Sequence, residues 1–272
     1  MLKSSKTIIV AAIAAALLGT GVANAATTPS LKTITPGVLT IGTDDPAYGP
    51  WFEENTPSNG KGFESAVAYA VAKELGYSAD KVKWVKASFN SVIQPGKKSF
   101  DFDINQISIT PERKKVVDFS AGYYDVTQAV VTVKGSAIEK ATKISDLAKV
   151  KLGAQVGTTS LTTISSVIKP KSAAAVYDTN DLATAALKAG QIAGLVVDLP
   201  TAFYISAVTD GAVLVGQLPA QAKAEQFGLV LPKGSANTSK VSTAVLTLRK
   251  NGTLKALADK WLAKVGAPVL KK

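Results

Sequence analysis

The strongest constraint on this chain is the order in which two hydrophobic periods alternate along it. Val38 to Thr43 is a short apolar run of strand length, and Phe63 to Leu75 then carries Phe63, Val67, Ala70, Val71 and Leu75 at helical spacing. That helix stops at Gly76, as a C-terminal glycine cap would. Val82, Trp84 and Val85 suggest a second strand edged by lysines, a helix follows near Ser91, and Phe102 to Ile107 reads as a third strand. A β-α-β-α-β order implies an α/β fold with a largely parallel sheet, whose ligands collect at the carboxyl ends of the strands.

A second unit repeats this grammar without repeating the sequence. Gln128 to Val133, Lys151 to Val156 and Ala193 to Val197 read as strands, with Ser160 to Ile168 and Asp181 to Ala189 as helices. Phe227 to Leu231 is a further apolar run, and Lys240 to Ala263 is a long helical region broken at Asn251-Gly252. No low-complexity linker separates the units, so strands and not a floppy tether should join them.

Three strand ends carry the polar chemistry. In Ser108 to Lys115, Thr110 can cap a helix and Pro111 can occupy its first turn, which sets Arg113 against the positive end of a helix dipole. A cation there calls for an anion, and a planar guanidinium matches a carboxylate bidentately. Lys114 and Lys115 read instead as a solvated basic face. At Gly157-Thr158-Thr159-Ser160 a strand meets a helix, and backbone N–H groups and hydroxyls can point at an anion or simply cap that helix. Asp198, between Val197 and Leu199-Pro200, is open to the same two readings, a binding carboxylate or an N-cap. Two anion-directed sites and one carboxylate are the complement of a zwitterion, and an α-amino acid fits that description.

Composition removes the main competitors. The chain has no histidine and no cysteine, which excludes the usual zinc ligands, the Ser-His-Asp triad, a cysteine nucleophile and a disulfide framework. No Walker-type or dinucleotide glycine fingerprint is present, so no cofactor and no metal are expected. The net charge of +11 comes from scattered lysines, which argues for solvated faces and against nucleic acid. Lys3 and Lys6 precede the apolar run Ile8 to Leu18, and Ala23-Asn24-Ala25 offers a cleavage pattern. Residues 1–25 are therefore expected to be a cleaved signal peptide. With no cysteine to take a lipid, the mature protein should be periplasmic and unanchored.

The run Ile109 to Ser120, with Gly122-Tyr123-Tyr124 after it, resembles the signature of the family 3 extracellular solute-binding proteins of polar amino acid ABC transporters. The similarity continues through Ile41-Gly42-Thr43-Asp44, Gly62-Phe63-Glu64, Gln155 to Thr159, Val197 to Pro200, Phe227 to Val230 and Leu248 to Thr253. The resemblance implies a type II periplasmic binding protein fold, two α/β lobes with mainly parallel sheets joined by two crossing strands. Lobe one would span residues 26–126 and 225–272, and lobe two residues 127–224. It also implies that Arg113, with donors at Thr158 and Thr159, holds an α-carboxylate. Asp198, helped by Ser108, would hold the α-amino group, and Tyr48 and Phe89 would bracket the ligand.

Two places limit what the resemblance says about specificity. The pocket aspartate is Asp44 counted from Ile41-Gly42-Thr43 and Asp45 counted from Tyr48-Gly49-Pro50. Gln106 stands where many relatives carry a small residue, so it would trim or hydrogen-bond the ligand side chain. The expected protein is a non-enzymatic monomer that binds a polar L-amino acid, closes around it and delivers it to a membrane permease. A periplasmic dehydratase on the same fold and a ligand-sensing adaptor domain are the alternatives. Asp101 and Asp103, the tempting acid pair for a dehydratase, fall before the end of their strand and read as structural.

Overall fold

The computed structural model describes residues 31–221, 224–262 and 266–272; the expected signal peptide lies outside them. The chain first lays down β1 (Leu39–Thr43), α1 (Phe63–Glu74), β2 (Val82–Lys86), α2 (Phe89–Val92), β3 (Phe102–Asp103), α3 (Pro111–Lys114) and β4 (Val117–Val126). It crosses directly into β5 (Gln128–Val133) and continues through α4 (Ile144–Leu147), β6 (Leu152–Gln155), α5 (Thr159–Thr163), β7 (Ala175–Tyr177) and α6 (Asn180–Lys188). β8 (Gly194–Asp198), α7 (Leu199–Val208) and β9 (Ala212–Gln217) complete this part. The chain then returns to the first sheet as β10 (Glu225–Pro232), followed by α8 (Thr238–Lys250) and α9 (Thr253–Trp261).

Two sheets of matching topology result, β2-β1-β3-β10-β4 and β7-β6-β8-β5-β9. In the first, β1 runs parallel to β2 and β3, with Leu39 opposite Val82 and Ile41 opposite Phe102, while β10 lies antiparallel to both β3 and β4. In the second, β6 is parallel to β7 and β8, and β5 is antiparallel to β8 and β9. The reversed strand in each sheet, β10 or β5, is the one by which the chain enters from the other sheet. This is the type II arrangement, two α/β lobes with two crossings.

Both faces of each sheet are buried, which is why the central strands read as unbroken apolar runs. Phe227, Leu229 and Leu231 of β10 face a core built with Trp51, Phe63, Val67 and the helices α8 and α9, while Val230 faces Phe89, Phe100 and Phe119 on the other side. In the second lobe Val130 and Val196 point to one core, and Ala129, Val131, Leu195 and Val197 to the other. Gly76 takes a left-handed φ of 85° after α1, the glycine cap its sequence announces.

The structure corrects the sequence reading in four places. The third strand ends at Asp103 and does not reach Ile107, because Gln106 adopts φ 48° and gives its N–H to the Glu64 carboxylate at 2.7 Å instead of to a neighbouring strand. β4, β7, β9 and α7 are additional elements; α7 is so uniformly apolar that it shows no helical stripe. The expected helix from Ser160 to Ile168 starts at Thr159 and is α-helical only to Thr163, continuing to Ile168 as a π turn. The C-terminal tail, assigned to lobe one, belongs with lobe two. Leu270 packs beside Val130 and Val215, and its N–H reaches Gln217 O at 2.9 Å, because the edge strand β9 leaves backbone groups there to be paired.

Candidate functional site

A cavity of about 310 Å³ opens between the carboxyl ends of β1 and β3 in one lobe and of β6 and β8 in the other. Asp45, Tyr48, Phe89, Gln106, Ser108, Arg113, Thr158, Thr159 and Asp198 all border it. The lobes touch across it: Tyr48 Oη donates to Asp181, and Trp51 Nε1 donates to Thr201 Oγ1 at 3.0 Å.

Arg113 is placed by local sequence. Thr110 Oγ1 accepts the Arg113 N–H at 3.2 Å, so the cap and the proline at the first turn fold as their order suggests. The side chain turns back into the cleft, where Nη1 donates to Ser108 O at 2.6 Å and Nη2 donates across the lobes to Gly157 O at 2.9 Å. Gly157 takes φ 71° to present that carbonyl. The guanidinium lies 5.3 Å from the Phe89 ring centroid, a cation–π contact. Burial lowers its pKa to about 10, still far above neutrality. A guanidinium has five N–H groups, and these two bonds leave three of them for other partners.

Thr158 is an N-cap. Its hydroxyl accepts from Leu161 N at 3.1 Å and donates to Gln155 O at 2.7 Å, which occupies the side chain. Thr159 Oγ1 stands 3.4 Å from Ser108 Oγ, on the opposite lobe.

Asp198 also occupies an N-cap position, but its side chain makes no capping hydrogen bond. Its Oδ1 accepts from Gln128 Nε2 at 2.7 Å, because Gln128 and Asp198 are register partners on β5 and β8. Burial, reinforced by nearby Glu225, raises its carboxyl well above the usual range. A carboxylate so placed gains from a cation brought into the cavity.

The two candidate aspartates part company. Asp44 Oδ2 accepts the Phe89 N–H at 3.1 Å, whereas Asp45 pairs with Lys86, whose hydrogen bond holds its carboxyl below the usual value. Asp45 borders the cavity only from its exposed rim. Gln106 gives its backbone N–H and an amide N–H to Glu64 while lining the cavity. Asp101 is structural, accepting from Ile34 N at 2.8 Å and Thr40 N at 2.7 Å, and Asp103 is wholly buried.

Several lining groups escape a local reading. Thr43 Oγ1 and Asn105 Nδ2 are buried and unpaired among the described residues. Asp178 and Asp181, at the start of α6, add two carboxylates from the second lobe. The one signal for Asn105 is its place beside Gln106, and nothing before α6 distinguishes Asp181 from a first-turn acid.

Two lobes of like topology, with a cationic and an anionic group facing one cavity from opposite sides, define a two-lobed small-solute binding protein. The family of bacterial extracellular solute-binding proteins, family 3, matches residues 39–264, and the chain belongs to it. The arginine-binding extracellular protein ArtP of Bacillus subtilis (strain 168) is 30% identical over 220 residues, covering 79% of this chain and 82% of its own. The L-cystine-binding protein TcyJ of Escherichia coli (strain K12) is 30% identical over 242 residues, with 86% and 85% covered. Among solved structures, the ancestral amino acid-binding protein AncCDT-1, a precursor of cyclohexadienyl dehydratase, is 31% identical. It superposes with a TM-score of 0.67 over 84% of this chain and 96% of its own.

Proposed function

We propose that this protein is the periplasmic binding component of an ABC importer for a polar L-amino acid, exported through a cleaved signal peptide and delivering its ligand to a membrane permease. The observation that carries this is the placement of Arg113 and Asp198, from different lobes, on one cavity sized for a single small solute. The remaining donors of Arg113 take the α-carboxylate, and Asp198 and Ser108 take the α-ammonium. Residues 31–126 and 225–262 form one lobe, and residues 127–221 with the tail 266–272 form the other. Asp44, Asp178 and Asp181 leave the rest of the cavity acidic, which favours a basic side chain; relatives named for arginine binding agree with this. Isothermal titration against the common amino acids is the test, with arginine, lysine or ornithine expected to bind most tightly. Failure of every amino acid to bind would overturn the reading.

The raised carboxyl of Asp198 is also what a general acid needs, which keeps a dehydratase in view. Incubation with cyclohexadienyl acids separates the two: a binding protein leaves their absorbance unchanged.

A further inference from the structure

Behind the ammonium end of the cavity stands a carboxylate that does not border it. Glu225 opens β10, two residues before Phe227, which pairs with Ser108 in an isolated antiparallel bridge; this sets the Glu225 and Ser108 side chains together. Ser108 Oγ donates its hydrogen to Glu225 Oε1, and Glu225 Oε2 accepts from Gln128 Nε2 at 3.2 Å. The same Gln128 nitrogen donates to Asp198, and Gln128 Oε1 accepts from Ser160 Oγ at 2.7 Å. The Gln128 amide therefore has one orientation that satisfies all its partners.

A hydroxyl has one hydrogen. Once Glu225 holds it, Ser108 can offer the cavity only lone pairs. We propose that Glu225 is a positioning residue that fixes Ser108 as a hydrogen-bond acceptor, so that this end of the cavity admits a protonated amine and rejects the corresponding α-keto acid. The inference rests on the amino acid reading above. A keto oxygen can only accept, and it would meet the Ser108 lone pairs and, where Asp198 is ionised, its carboxylate as well. An ammonium donates to both.

Glu225→Gln tests the idea without changing shape. Gln128 already presents an N–H to one arm of residue 225, so the new amide settles with its oxygen there and its NH₂ toward Ser108. Ser108 then turns its hydrogen into the cavity. The expected result, by calorimetry at one pH, is an amino acid dissociation constant raised about ten- to hundredfold, the worth of one hydrogen bond to a charged group. Binding of the keto acid, read by competition, should hold or improve. In a Ser108→Ala background, Glu225→Gln should change amino acid affinity much less than in the wild type, because its effect runs chiefly through Ser108 and the remainder is the loss of the Glu225 charge beside Asp198.

Equal weakening of amino acid and keto acid, or an undiminished effect in the Ser108→Ala background, would reduce Glu225 to a structural role and overturn the inference. Should Glu225→Gln not fold, Ser108→Ala alone decides. It must shift the amino acid to keto acid affinity ratio, and an unchanged ratio overturns the inference. If wild-type protein binds no amino acid, both readings fall; if it binds and the ratios do not move, this one falls alone.

Discussion

At the scale of single residues, the two ends of the proposed ligand are unequal tests. Arg113→Ala should weaken amino acid binding by about 2–5 kcal/mol, because it leaves a desolvated carboxylate unmatched. It also removes the donor that ties Ser108 O to Gly157 O across the lobes. Arg113→Lys should recover only part of the loss, since an ammonium cannot serve two carbonyls and a carboxylate with a planar fork. Titration calorimetry on folded variants reads both effects, and wild-type affinity in Arg113→Ala would remove the assignment. Asp198→Asn should cost the amino acid more than its deaminated analogue. The Asn amide can keep its oxygen on Gln128 only by turning its NH₂ toward the ligand ammonium. The first turn of α7 should be unaffected, because Asp198 makes no side-chain cap there. Equal losses for both ligands would contradict the contact.

At the scale of elements, Glu64 pins the floor of the site. It belongs to the first turn of α1, yet its carboxylate accepts from Gln106 N and Nε2 and from Tyr123 Oη, holding the segment after β3 against the helix. Burial raises its pKa from 4.5 to about 7. Between those values the folded state binds more proton than the unfolded chain, so stability falls as pH rises through this window. The loss attributable to Glu64 should total about 3 kcal/mol, complete above the folded pKa and absent below the unfolded one. Urea unfolding of wild type and Glu64→Gln at pH 4 and pH 8 isolates it. The variant should gain on wild type by about that amount as pH rises, since its lost or rearranged hydrogen bonds cancel between the two conditions. A pH-independent difference would show that Glu64 does not titrate as its burial implies.

At the scale of the whole molecule, the cleft is held shut by groups from both lobes: Arg113 on Gly157, Tyr48 on Asp181 and Trp51 on Thr201. A ligand that satisfies Arg113 and Asp198 together has differential affinity for this arrangement, which is what shifts a population toward it. Small-angle scattering with saturating ligand should show a smaller radius of gyration than without it, and an unchanged radius with binding confirmed in the same sample would exclude appreciable closure. Tyr48→Phe removes the rim contact without touching either end of the ligand. It should speed dissociation several-fold while leaving association nearly unchanged, as stopped-flow fluorescence of Trp51 can follow.

Much of this was legible along the chain because its physics is local. A cap and a proline within three residues of Arg113 start α3 whatever surrounds them, Gly76 ends α1 because its left-handed φ suits glycine, and apolar runs such as Gln128 to Val133 declare strands buried on both faces. The order of these signals specified two α/β lobes and put Arg113, Thr159 and Asp198 at strand ends. Local signals could not place what depends on partners far away. The third strand stops short because Glu64, 42 residues earlier, takes the Gln106 N–H. Asp198 makes no side-chain cap because Gln128, 70 residues away, is its hydrogen-bond partner in the sheet. Ser108 loses its hydrogen to Glu225, 117 residues on. Hydrophobic period and capping are read within a few residues of chain, whereas the direction of a hydroxyl hydrogen or a carboxylate is set by which strands and helices, distant in sequence, the fold brings side by side, and only the folded structure decides that.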